Sequence, residues 1–169
     1  ERVVRGFTDP RLRYVRQAEN IGPYANFNFC IQEAKGAFFL LFHDDDLIDP
    51  DLVETLVTAA RGDESAGLLR AGTRLIDAGG MVIKEYPSRA AGRSLTDAIL
   101  GWFAGETSFY LCSTLFNTRV LREVGGLRSR DNLFQDVGAA MRVAARSGRV
   151  DVLPAKACFR MHTNVLYPE

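Results

Sequence analysis

Residues 37–50, AFFLLFHDDDLIDP, decide how the chain is read. Ala37 to Phe42 are six consecutive apolar or aromatic residues. That is too few to span a bilayer and too unbroken for a strand with one wet face, so they predict a buried strand of a parallel or mixed sheet, covered by helices on both faces. The strand runs straight into His43, Asp44, Asp45 and Asp46. Adjacent carboxylates then stand at the carboxyl end of the strand, where open α/β sheets bind ligands. Like charges so close together repel, and a bound cation relieves the repulsion. Asp49 as a cap and Pro50 at the first helical position predict a helix to about Arg61, with Asp51 and Glu54 near its positive end.

Working back from this stretch, Phe27, Cys30, Ile31 and Ala34 recur at helical spacing, which predicts a helix from Pro23 with Gly36 at its carboxyl cap. Asn20, Gly22 and Pro23 separate it from a short predicted strand, Leu12 to Val15, reached through the Asp9-Pro10 turn; Glu1 to Phe7 read as the end of a helix. Strand, helix, strand, acidic loop and helix follow one another as in a doubly wound sheet.

Working forward, Gly67 to Ile76 and Met81 to Tyr86 predict a hairpin about the turn Asp77-Ala78-Gly79-Gly80. Ser94 with Asp97 forms a capping-box pattern for a helix carrying Leu95, Ile99, Trp102 and Phe103. A short strand is expected at Phe109 to Leu111, a short helix at Arg119 to Val124 stopped by Gly125-Gly126, and a longer helix from Asn132 to Ser147. A closing strand from Val150 to about Thr163 alternates Ala155, Ala157, Phe159 and Met161 with Lys156, Cys158, Arg160 and His162.

The length suits one domain, residues 1–169, and 47% hydrophobic with 25% charged residues is a globular composition. Lys plus Arg and Asp plus Glu number 21 each, so the overall field offers nothing to nucleic acid or an anionic membrane. Cys30, Cys112 and Cys158 are odd in number, far apart and in apolar surroundings, which predicts free thiols in a reducing compartment. No run of about 20 apolar residues marks a transmembrane segment. The expected localisation is cytoplasmic, or peripheral at the inner face of the membrane.

Asp44, Asp45 and Asp46 are the first candidates for chemistry. Mg²⁺ and Mn²⁺ prefer carboxylate oxygen, and Mg²⁺ commonly bridges carboxylates to substrate phosphates. A solvated acidic turn is the equally weighted alternative. Asp136 falls at the border of the apolar stripe formed by Leu133, Val137, Ala140, Met141 and Ala144, where partial burial suits a general base. Taken alone it reads more simply as a first-turn Asp favoured by the helix dipole. His162 ends the closing strand on its polar face, and on its own reads as an ordinary surface or hydrogen-bonded histidine. His43 adjoins the acidic loop and is assigned no catalytic role.

Together these stretches resemble the inverting family 2 glycosyltransferases of the GT-A fold. The matching pieces, in order, are Asn20-Ile21-Gly22 with Asn26 and Asn28, Ala34-Lys35-Gly36, the hydrophobic strand, Asp44-Asp45-Asp46 with Pro50, the Ile76-Asp77…Gly80 hairpin, Val124-Gly125-Gly126, Gln135-Asp136 with Met141-Arg142, and Arg160-Met161-His162. The resemblance implies an α/β, GT-A-like, mixed but mostly parallel sheet flanked by helices. It implies Mn²⁺ or Mg²⁺ held by a DxD-type motif, with Asp45, Asp46 and His162 as the metal set and Asp44, Asp45, Asn20 and Asn28 as the donor-binding set. The family's Glu-Asp pair reads Gln135-Asp136 here, which makes Asp136 the implied general base although its usual acidic neighbour is not kept.

Members of that family begin with a strand, a Pro-Thr-Tyr-Asn-like loop and a second strand that hold the nucleotide base. This chain starts after them, so the expectation is one catalytic domain lacking its amino-terminal strands. The implied activity is metal-dependent transfer of a sugar, with inversion, from a nucleoside diphosphate sugar to an acceptor hydroxyl on a glycan, lipid or other molecule. A nucleotidyltransferase and a non-catalytic sugar- or nucleotide-binding module are the alternatives. Acceptor choice is expected in the loops Tyr86 to Arg93 and Gly101 to Ser108.

Overall fold

The computed structural model describes residues 3–61, 66–130 and 133–162. The first extended element is only Phe38–Phe39 (β1), after the helix Gly22–Glu33 (α1); Leu47–Ile48 (β2) and the helix Leu52–Ala59 (α2) follow. Next come the hairpin Leu68–Ile76 (β3) and Val82–Tyr86 (β4), the helix Leu95–Phe103 (α3), the strand Thr114–Asn117 (β5) and the helix Thr118–Glu123 (α4). The helix Gln135–Ser147 (α5) and the long strand Arg149–Arg160 (β6) complete the described elements.

The six-stranded sheet runs β1-β5-β3-β6-β2, with β4 also beside β3. This corrects the expected GT-A-like, mostly parallel open sheet. Among the described residues only β3 and β6 pair in parallel, while β1–β5, β2–β6, β3–β4 and β3–β5 are antiparallel, and the sheet curls into a half-barrel. Two causes are visible in the chain. A four-residue turn returns β4 directly along β3, which permits only an antiparallel pair. The β3–β6 register also slips between Arg70 and Gly72 and again between Gly72 and Thr73, inserting extra residues of β6, including Pro154, which has no ladder proton to give. Bulges of this kind bend the strand and increase its twist. Gly72 sits at the bend because a Cβ there would come within 2.6 Å of the Tyr86 carbonyl oxygen.

The hydrophobic run is likewise shorter as a strand than expected, and it lies at the sheet edge against β5 alone. Its two faces are nevertheless both covered. Phe39 and Leu41 pack with Ile31, Phe116, Val120 and Val143, whereas Phe38 and Leu40 pack toward Leu52, Leu56, Leu69 and Leu115. The unbroken apolar run is thus explained by helices α1, α4 and α5 on one side and α2 on the other.

Several local expectations hold. The hairpin forms about residues 77–80, and Ser94 Oγ accepts the Asp97 amide at 3.1 Å to start α3. Others move. Leu12 to Val15 form no strand and are exposed, and the strand expected at Phe109 to Leu111 forms instead at the fully buried Thr114–Asn117. Asp51 takes the cap position of α2, because the Asp49 carboxylate turns away to pair with Arg74 of β3. Asn132 and Thr163, expected as element ends, lie outside the described residues.

Candidate functional site

The acidic loop is short because β2 seizes the chain just beyond it. Leu47 and Ile48 pair with Cys158 and Ala157, so the end of β6 is drawn alongside residues 43–46. Asp44 is exposed, Asp45 half-buried and Asp46 buried. The amide of Arg160 donates to Asp46 Oδ1 at 3.0 Å, and its Nε donates to the Asp45 carbonyl oxygen at 2.8 Å. Farther along, His162 Nε2 lies 2.6 Å from Asp45 Oδ2.

His43, which sequence reasoning left without a role, joins this group. One ligand atom from each of His43, Asp45 and Asp46 lies within 4.8 Å of the others, and His43 Nδ1 is 3.9 Å from Asp46 Oδ2. Its Nε2 is buried without a hydrogen-bond partner among the described residues, while its ring packs at 5.6 Å on Phe27 of α1. The i,i+3 spacing from His43 to Asp46 was the available signal.

The two acids differ in environment. The His162 hydrogen bond holds the Asp45 carboxyl below the usual carboxylate range, whereas burial pushes Asp46 above it. Cys112 lies against Asp46 and its thiol is pushed far up by burial. Two carboxylates with an imidazole within reach form a donor set able to coordinate a divalent cation.

The remaining predicted residues sit elsewhere. Asn20 is exposed, accepts the Gly22 amide at 2.9 Å and lines an open cleft of about 370 Å³ with Gln17, Asn26 and Phe27, so Phe27 touches both this cleft and His43. Asn28 is committed to the protein: its Nδ2 donates to the Tyr24 and Leu127 carbonyls at 2.9 and 2.8 Å, and its Oδ1 accepts the Leu127 amide at 3.1 Å. The clamp explains Gly126, where a Cβ would collide with Asn28 Oδ1. Asp136 is half-buried in the first turn of α5, just after Phe134, whose backbone is left-handed at φ 49°.

The acidic loop, with His43 in reach and joined to residues 160 and 162 by hydrogen bonds, is a cluster able to hold a divalent cation. The family model described as glycosyl transferase family 2 matches residues 1–87, which is 87 of the 169 residues. The chain belongs to that family, and the match supports a sugar-transfer type of activity in general. No curated protein sequence matches it. Among the described residues no helix is long and apolar enough to cross a membrane.

Proposed function

We propose that residues 1–169 form one catalytic domain that transfers a sugar, with inversion, from a nucleoside diphosphate sugar to an acceptor hydroxyl, using Mn²⁺ or Mg²⁺. The observation that carries this reading is the convergence of His43, Asp45 and Asp46 with His162, drawn in from the far end of the chain. In this reading Asp45 and Asp46 hold the cation, with His162 and His43 beside them. When bound, the cation offsets the charge that develops on the departing diphosphate.

The chain's own residues supply the rest. Asp44, exposed at the front of the loop, contacts the donor's ribose or sugar, and Asn20 lines the adjoining cleft. Asn28 serves donor binding indirectly, by pinning α1 to the Gly126-Leu127 turn. Asp136, in the first turn of α5, takes the acceptor's proton as the acceptor oxygen attacks the anomeric carbon. The three cysteines are free thiols, which suits a reducing compartment.

The test is release of nucleoside diphosphate from a panel of sugar nucleotides with Mn²⁺, with and without glycan and lipid acceptors. Acceptor-dependent release, with an inverted anomeric centre in the product, supports the reading. Release of inorganic diphosphate from a nucleoside triphosphate incubated with a sugar phosphate, without turnover of any sugar nucleotide, identifies a nucleotidyltransferase instead, and binding without turnover of either identifies a non-catalytic module.

A further inference from the structure

Arg160 lies outside the matched residues 1–87, yet its hydrogen bonds tie the acidic loop to the turn between β3 and β4. Its main-chain amide holds Asp46 Oδ1, and its Nε holds the Asp45 carbonyl. Its Nη1 donates to the carbonyls of Asp77 and Ala78, at 2.9 and 3.1 Å, in the turn between β3 and β4. One guanidinium thus gathers carbonyl oxygens from two turns separated in sequence by the whole of α2 and β3. The following residue fastens the same point, since the Met161 amide donates to the Ile76 carbonyl at 2.9 Å.

We propose that Arg160 is the positioning residue of the metal centre: it locks the backbone of Asp45 to the β3–β4 turn and thereby sets the affinity of the carboxylates for a divalent cation. This rests on the metal reading given above. The physical reason is order. Adjacent carboxylates on a short loop repel, and without a tether the loop relaxes to separate them, so binding a cation must first regather them. A planar guanidinium directed at several carbonyls performs that gathering in advance. A lysine, carrying a compact point charge on a flexible stem, holds fewer of them at one time. Removing the guanidinium leaves the Arg160 main-chain bond to Asp46 in place, so the substitution reports on the Asp45 side of the clamp.

The test is titration of the 169-residue chain with Mn²⁺ alone, by calorimetry or by the electron spin resonance of free Mn²⁺, for wild type, Arg160→Lys, Arg160→Gln and Asp45→Asn. Val120→Ala, a substitution in the core that removes none of the candidate ligands, serves as a control for general destabilisation. Groups that orient metal ligands typically contribute about 10–100-fold to metal affinity. Arg160→Gln is expected to weaken Mn²⁺ binding by about that factor and Arg160→Lys by less, whereas Val120→Ala leaves the Mn²⁺ affinity unchanged despite a lower melting temperature. If Arg160→Gln loses its far-UV circular dichroism, Arg160→Lys alone decides. Wild-type Mn²⁺ affinity in the Arg160 variants, with binding lost in Asp45→Asn, overturns the Arg160 proposal and leaves the metal reading standing. Unchanged binding in Asp45→Asn overturns both.

Discussion

Nε2 of His162 lies 2.6 Å from Oδ2 of Asp45, although 117 positions separate the two residues. The contact joins the acidic loop to the end of the strand that runs beside it, and it occupies a carboxylate oxygen with a group that itself ligates metals. Cation binding is therefore expected to compete with and reorganise this contact. Oxygen-rich sites on short loops leave coordination positions that phosphate oxygens fill. Mn²⁺ and a nucleoside diphosphate should consequently bind more tightly together than apart, and Asp45→Asn should abolish that coupling in calorimetry. Independent binding in the wild type would remove the bridging role.

Asp46 carries a different expectation. Its carboxyl is raised by burial, so the folded state takes up a proton more readily than the unfolded chain does. A group of this kind favours folding below its unfolded value and loses that contribution as the pH rises through the folded one. At neutral pH the metal-free chain therefore carries the cost of a buried charge. Asp46→Asn should raise the melting temperature of the metal-free protein at pH 7, lose that advantage in acid, and abolish stabilisation by Mn²⁺. A variant less stable than wild type at pH 7 in the absence of metal would show that the charge is fully compensated by its neighbours.

Asp136→Asn keeps the side chain's size but cannot accept a proton. General base catalysis is typically worth on the order of 10²–10⁴-fold, and a base acting only in the transition state contributes little to ground-state binding. The expected result is a kcat lower by at least about two orders of magnitude with donor binding nearly intact. Transfer within a few-fold of wild type excludes Asp136 as the base. Joint collapse of donor binding and melting temperature instead marks it as a helix-start residue.

Asn28→Ala should act on stability first. It removes a side chain that bonds both the amide and the carbonyl of Leu127, and leaving those half-buried groups unpartnered costs about 1–3 kcal/mol each at most. Melting should fall by several degrees while Mn²⁺ affinity stays at the wild-type value. A loss of nucleotide binding without a change in melting would assign Asn28 to the donor directly.

What could be read from the chain was whatever is decided within a few residues. The Asp77 to Gly80 turn and the Ser94–Asp97 cap form as their local chemistry requires. The alternation toward Arg160 and His162 marked a strand, but that strand ends at Arg160, a bulge between Ala155 and Ala157 breaks its period, and Cys158 of the expected polar face is buried. Strand direction was not legible, because the pairing of β3 with β6 is settled by contacts between distant segments, and β1 and β2 are each two residues long. The hydrophobicity of the run reported the cover over Phe38 to Leu41, although Ala37 and Phe42 at its ends are exposed, and carried no information about the strand's partner. His43 was passed over because its i,i+3 spacing to Asp46 was the one local signal, and its place beside both Asp45 and Asp46 depends on the folded path of the loop.

The place of β6 in the sheet has a temporal meaning. It is the last described strand to be synthesised, yet it lies between β3 and β2, and β2 has no other partner among the described residues. While a ribosome is still adding residues 149–160, β3 has an open side, β2 has nothing to pair with, and the acidic loop lacks both Arg160 and His162. Nascent chains therefore pass through a stage with unpaired strand edges, the kind of species prone to associate with copies of itself. Under the proposed metal reading, Mn²⁺ binding by a nascent chain is expected only after β6 has paired with β2 and β3.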